Sequence, residues 1–209
     1  MSPDVRGPRG IAIFAVAFAV LWTVSVVVVW QQGWLPEAMR PWFRALFWIA
    51  AAVLWLVWLR LAEPMRWIGV GPLSRQALLL TVAAFAGVLA WNLVRVEWLM
   101  APAGRLGTFS LAAYVWGFMG VLEEELVFRG VLQTDLQSRM HWTIAVALAG
   151  IAFLAIHVPG WLILSMHVNA FTAASVLLIG LVCGALRYWS GSLWPAVAAH
   201  WANNLGAQL

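Results

Sequence analysis

Three consecutive glutamates, Glu123, Glu124 and Glu125, lie inside an apolar segment that is long enough to cross a lipid bilayer. The segment covers residues 109–131 and is otherwise rich in Leu, Val, Phe and Trp. An ionised carboxylate at the centre of a membrane helix costs roughly 2.5 to 3.5 kcal/mol on insertion scales. Such a segment can cross a membrane only if neighbouring helices supply partners for the carboxylates, so it indicates a functional site.

The composition indicates a polytopic membrane protein. Apolar residues make up 64% and charged residues 10% of the 209-residue chain, and the mean hydropathy is +0.90. A soluble domain, in contrast, carries about 25% charged residues. The connectors between the apolar segments are too short to fold alone, which predicts a single membrane domain over residues 1–209. The predicted fold class is all-α, a transmembrane bundle of about seven to eight helices.

Long apolar segments define the predicted membrane helices. For the first apolar segment the alternative is a cleaved signal peptide. However, the apolar run of this segment is longer than the roughly 7 to 15 apolar residues of a signal peptide. We expect Pro159 and Gly160 to stop a helix, and residues 161–168 to form either an interfacial piece or a continuation beyond a kink. The predicted spans are 11–30, 43–61, 76–94, 109–131, 142–157, 170–187 and 193–205.

The distribution of arginine predicts the orientation of the chain. The net charge of +4 comes from Arg alone, since the sequence contains no Lys, and no basic run is long enough to indicate a nucleic-acid partner. Arg concentrates in the N-terminal segment and in the connectors 60–75 and 129–141, which places these segments in the cytoplasm. We therefore expect a multi-pass protein of the cell (inner) membrane, with the glutamates near the cytoplasmic end of their span.

The glutamates cannot all face one cavity. Successive helical residues turn by about 100°, so three of them fan over about 200°. Glu125 and Arg129 are spaced i, i+4 and can form an ion pair. Glu124 is then the carboxylate that is freest to meet another helix.

Histidines follow on two later apolar segments and suggest hydrolytic chemistry. His200 and Asn204 are spaced i, i+4, so one helix face presents an imidazole and an amide, which can both donate to an oxyanion. Phe153 and His157 share a face in the same way. If these faces converge, a water between Glu124 and His157 can be deprotonated and attack a carbonyl that His200 and Asn204 polarise.

Other roles for these residues remain open on the sequence alone. A single histidine within a membrane helix is often a packing residue, and a Glu–Arg pair can be a structural clamp. Glu124, His157 and His200 are also chemically adequate metal ligands. The chain lacks a His-Glu-x-x-His motif, so we expect no cofactor, with a divalent metal as the alternative.

Three short motifs occur in order along the second half of the chain. They are Glu124-Glu125-x-x-x-Arg129, Phe153-x-x-x-His157 and His200-x-x-x-Asn204. The set resembles the CAAX protease and bacteriocin-processing family, the type II CAAX prenyl endopeptidase-like intramembrane proteases. Arg129 sets the register of the first motif and excludes Glu123 as its first residue. The resemblance implies a catalytic core over residues 110–207.

The resemblance also implies roles for the motif residues. By this resemblance, Glu124 is the base that activates water and His157 assists Glu124. His200 and Asn204 form the oxyanion site. The implied supporting residues are Glu125, Arg129 and Phe153. The implied enzyme is an intramembrane endopeptidase, either of the glutamate type or metal-dependent.

The expected substrate is a membrane-associated peptide or protein that is matured or trimmed near the membrane surface. The Arg-only, Trp-rich composition suggests a bacterial source, for which targets other than prenylated proteins are expected. Two alternatives belong to other functional classes. One is a non-catalytic immunity or scaffold factor, and the other is a proton-coupled transporter that uses Glu124 as its proton carrier.

Overall fold

The computed structural model describes residues 8–98 and 110–206, and every regular element within these ranges is a helix. The helices are α1 (Pro8–Ser25), α2 (Arg40–Leu59), α3 (Pro64–Trp67), α4 (Arg75–Trp98), α5 (Leu111–Glu125), α6 (Thr134–Gln137), α7 (Trp142–Ile163), α8 (Ala170–Ser190) and α9 (Trp194–Gly206). Segments of π-helix follow α1 (Val26–Gln31) and α5 (Leu126–Gln133), and a 3-10 turn (Glu37–Met39) precedes α2. Position 109 of one predicted span, position 207 of the predicted core and most of the N-terminal segment lie outside the described residues.

The bundle exposes large apolar side chains and buries several charged ones within its apolar interior. Within the described ranges, five helices are long and apolar enough to cross a membrane, and at most 28% of the most apolar window of each is buried. Leu46 and Leu54, for example, are each 69% exposed, whereas Glu125 and Arg129 are fully buried. Lipid, unlike water, favours this arrangement, because polar groups in a membrane need partners inside the protein. The predicted helical membrane bundle is confirmed.

The helix that carries the glutamates is longer than the predicted span. α5 continues without a break through the π-helical segment Leu126–Gln133 into α6. Glu124 therefore lies midway between Leu111 and Gln137, and its position relative to the cytoplasmic face of the membrane stays a prediction. The polar residues beyond position 131 stay in the helix because the bundle buries them, as it does Asp135.

Pro159 does not end its helix. α7 extends to Ile163 with Pro159 inside it, so the predicted stop at Pro159 and Gly160 is wrong. A proline in a helix removes one backbone hydrogen bond, and here the helix continues despite that loss. Residues 161–163 of the segment 161–168 thus continue α7. Residues 164–169 form the connector to α8.

The short helix α9 packs along α4 and also contacts α8 and α5. Its 13 residues span about 20 Å, which is less than the roughly 30 Å of a bilayer core. Ala196, Ala199 and Ala202 are fully buried, and such small side chains permit close helix approach. This close packing brings His200, which α9 carries, into the interior of the bundle.

Two glycines of α8 allow polar side chains to reach its backbone. Gly180 and Gly184 are one helical turn apart. The Arg129 guanidinium donates to the carbonyl of Gly180 at 3.0 Å, and the Gln133 amide donates to the carbonyl of Gly184 at 2.8 Å. A Cβ at Gly184 would lie 2.9 Å from both Gln133 Oε1 and Val146 Cγ1. The glycines therefore allow close contact between α8 and the helix of the glutamates.

Substitution of Gly184 tests this contact. Gly184→Ala is expected to lower the free energy of unfolding by about 1–3 kcal/mol, because the methyl group overpacks a closed interface. The measurement is a denaturation midpoint of the purified protein in detergent. The matched control is Gly87→Ala in α4, where a Cβ meets no atom within 4 Å. Equal midpoints for the two variants would contradict the close contact.

Candidate active site

The three glutamates pair with two arginines. Glu125 Oε1 lies 3.0 Å from Arg129 Nη1, and both side chains are fully buried. Glu123 Oε2 lies 3.2 Å from Arg44 Nε, and Glu124 Oε1 lies 2.5 Å from Arg44 Nη2. The expected Glu125–Arg129 ion pair is confirmed. Glu124 meets other helices as expected, because Arg44 of α2 binds it and His200 of α9 faces it.

Arg129 contacts three helices around the site. It pairs with Glu125 on its own helix and donates to the carbonyl of Gly180 in α8. Its guanidinium carbon also lies 4.3 Å from the centroid of the Phe153 ring in α7, a favourable cation–π distance. Arg129 lies in the π-helical segment, a feature that is frequent at functional sites. These contacts hold the segment that carries the first motif against the helices that carry the others.

His200 of α9 lies against two of the glutamates. Its Nδ1 is 2.8 Å from Glu125 Oε1, and its Nε2 is 3.7 Å from Glu124 Oε2. An ionised carboxylate can only accept, so Nδ1 carries the proton of that first bond. Glu125 thereby orients the imidazole, and the opposite edge of the ring faces Glu124.

Phe153 separates the two histidines of the site. Its buried ring contacts the His157 ring with a centroid distance of 4.8 Å and the His200 ring with one of 5.5 Å. His157 Nδ1 lies 2.7 Å from the carbonyl oxygen of Phe153, which can only accept a hydrogen bond. In the neutral ring the proton therefore lies on Nδ1, and Nε2 keeps its lone pair. His157 and His200 both lie within electrostatic range of Glu124.

Asn204 is placed less closely than the other motif residues. It is partly buried one turn beyond His200 on α9, so the two share a helix face as expected. Among the described residues, however, no hydrogen bond joins it to Glu124, His157 or His200. The contacts thus bring together six of the seven candidate residues and do not include Asn204.

The residues that could ligate a metal do not form a metal-binding set here. Within residues 8–98 and 110–206, no group of three or more His, Cys, Asp or Glu side chains is arranged to hold a metal ion. Arg44 binds one oxygen of Glu124, and Glu125 binds one nitrogen of His200. Both groups are thus already held by partners within the protein.

Arg44 is the residue of the site that the sequence did not reveal. Its position near the start of the predicted span 43–61 suggested an interfacial charge, but α2 begins at Arg40 and places Arg44 one turn inside the helix. An arginine within a membrane helix needs a counter-ion, and its own helix offers no carboxylate one turn away. In the sequence, Glu123 was the one intramembrane glutamate without an assigned partner, and this was the only feature that could have pointed to an ion pair with Arg44.

A protein-family comparison matches the second half of the chain. Residues 105–206 match the family described as Type II CAAX prenyl endopeptidase Rce1-like. The comparisons with curated proteins and with solved structures gave no match. The matched region includes all three motifs and the helices α5 to α9. Residues 105–206 of this helical membrane protein therefore belong to the Rce1-like family of type II CAAX prenyl endopeptidases, a family of proteases.

Proposed function

We propose that this chain is an intramembrane endopeptidase that hydrolyses a peptide bond with a water activated by Glu124. One observation supports this most: the three motifs converge from three helices. Glu124 faces His200 and lies within electrostatic range of His157, and the Phe153 ring contacts both imidazoles. The proposed substrate is a membrane-associated peptide or protein.

The first step is the deprotonation of a water beside Glu124. One carboxylate oxygen, Oε1, is bound by Arg44, so the other, Oε2, is the one that takes the proton. His157 accepts a second hydrogen bond from the same water through the lone pair on Nε2, which its Nδ1–H bond to the backbone leaves free. A positioned base of this kind contributes about 10²–10⁴-fold to the rate of proton transfer.

The second step is attack on the carbonyl carbon and collapse of the intermediate. The hydroxide forms the new C–O bond, and the carbonyl oxygen becomes an oxyanion that His200 Nε2 stabilises. Because Nδ1 already donates to Glu125, Nε2 donates to the oxyanion when the ring carries a second proton. The C–N bond then breaks, and Glu124 returns its proton to the leaving amine.

The test compares the termini of membrane proteins in source cells that carry the wild-type chain or Glu124→Ala at matched expression. Uncut precursors that appear only in the variant cells are the expected result, and their sequences identify the substrate. Prenylated and unprenylated C-terminal segments among these precursors distinguish the two expected substrate types. Identical termini in both cells under several growth conditions would reject the protease.

A proton carrier is the second candidate, and the Arg44–Glu124 ion pair is the observation that favours it. A carboxylate inside a membrane bundle, paired with arginine, also occurs on proton pathways. In that case a pH gradient drives a proton-coupled flux across the membrane of proteoliposomes, and Glu124→Gln abolishes this flux. No uncut precursor then accumulates in the variant cells. Loss of cleavage without any change in flux supports the endopeptidase.

His200→Ala is expected to lower the cleavage rate of the accumulated precursors by about 10²–10³-fold, the usual effect of removing an oxyanion donor. The rate is measured with purified protein in liposomes. His167→Ala is the matched control, because His167 is exposed in the connector before α8. A His200→Ala variant that folds and cleaves as fast as His167→Ala would exclude the oxyanion role.

A further inference from the structure

Arg44 bridges two glutamates that are adjacent in the chain. Its Nε lies 3.2 Å from Glu123, and its Nη2 lies 2.5 Å from Glu124. The planar guanidinium has donors on several edges, so one arginine can bind two carboxylates at once, which the point charge of lysine does less well. Arg44 thus connects the middle of the glutamate helix to α2.

The surroundings of Arg44 restrict where its guanidinium can lie. Nη2 also lies 3.3 Å from the carbonyl oxygen of Gly120, and any Cβ at Gly120 would lie 3.3 Å from the guanidinium nitrogens. The ring of Trp48, one turn along α2, lies 5.5 Å from the guanidinium carbon, within cation–π range. The glycine opens the space for this side chain, and the carboxylates and the ring define its position.

Glu123 has a different environment from Glu124. The Glu123 side chain is 2% exposed and its ion partner is Arg44, whereas Glu124 is 13% exposed and faces both Arg44 and His200. A buried carboxylate that only pairs with Arg44 is placed to hold the arginine in position. The Glu124 carboxylate is held by Arg44 at Oε1, which turns Oε2 toward His200.

We propose that Arg44 is a positioning residue for Glu124, and that Glu123 acts through Arg44. Arg44 sets the rotation of the Glu124 carboxylate, so that Oε2 faces the reacting water, and Glu123 anchors Arg44. This inference rests on the proposed function, because it assigns a role in orienting the base of that reaction. It explains why the chain carries a third intramembrane glutamate that the catalytic motif does not use.

The experiment is a double-mutant cycle on Arg44 and Glu123. The probe is the set of precursors that accumulate in Glu124→Ala cells. The readout is the rate at which each variant clears these precursors in a pulse–chase experiment. Arg44→Met is expected to slow clearance by about 10–100-fold, as misplacement of a catalytic group does. Arg44→Lys recovers part of the rate, because one charge can still pair with Glu124. Arg40→Met, one turn earlier on α2, is the matched control and leaves the rate unchanged.

The role of Glu123 is read from its dependence on Arg44. Glu123→Gln is expected to slow clearance by about tenfold in the wild-type background and to have less than about a twofold effect in Arg44→Met. Equal effects in both backgrounds, or an Arg44→Met rate within twofold of wild type, would overturn the proposal. If Arg44→Met does not accumulate in the membrane, the same cycle is run with Arg44→Lys. If no precursor accumulates in Glu124→Ala cells, the proposed function itself is rejected.

Discussion

Replacement of Glu124 by glutamine is expected to slow cleavage of the natural precursors by about a thousandfold. The amide keeps the size of the side chain but cannot take a proton from water. Glu124→Asp keeps the carboxylate and shortens its reach, so it is expected to retain more activity than glutamine does. The measurement is the initial cleavage rate of purified variants in liposomes, with the precursors identified by their termini.

The control for this experiment is Glu63→Gln, which changes an exposed glutamate in the connector before α3. It is expected to cleave at the wild-type rate. Thermal unfolding of each variant separates loss of chemistry from loss of fold. A folded Glu124→Gln protein that cleaves within tenfold of wild type would show that another group is the base.

Replacement of Arg129 by methionine is expected to lower the free energy of unfolding by about 3–5 kcal/mol. Arg129 and Glu125 are both fully buried, so loss of the arginine leaves a carboxylate inside the bundle without its ion partner. The double variant Glu125→Gln, Arg129→Met is expected to recover part of this loss, because it leaves no unpaired charge. The measurement is a denaturant titration in detergent.

The matched control for Arg129 is Arg66→Met. Arg66 pairs with Glu63 in the same way, but both side chains are largely exposed, and exposed ion pairs contribute little to stability. We expect the unfolding midpoint of Arg66→Met to equal that of the wild-type chain. An Arg129→Met midpoint equal to that of Arg66→Met would mean that the buried pair does not stabilise the bundle.

The local parts of the site were predictable from sequence spacing. Glu125 and Arg129 are four residues apart, and in any helix that spacing brings the side chains together. The fan of the three glutamates follows in the same way from the turn per residue.

The ends of the helices were less predictable, for two physical reasons. Polar residues after position 131 looked like a connector, but the bundle buries Asp135 and the helix continues. Pro159 looked like a stop, but one lost backbone hydrogen bond does not end α7. In both cases tertiary packing stabilises helical residues that local preference disfavours.

The sequence by itself determined the fold class, the presence of membrane helices and the three motifs, because apolar length and helical spacing are local properties of the chain. Only the tertiary structure decided which partners the buried charges find. The pairing of Arg44 with Glu124 joins residues 80 positions apart, and that of His200 with Glu125 joins residues 75 apart. Such pairs depend on which helices are neighbours and how each is rotated, and no spacing along the chain encodes either.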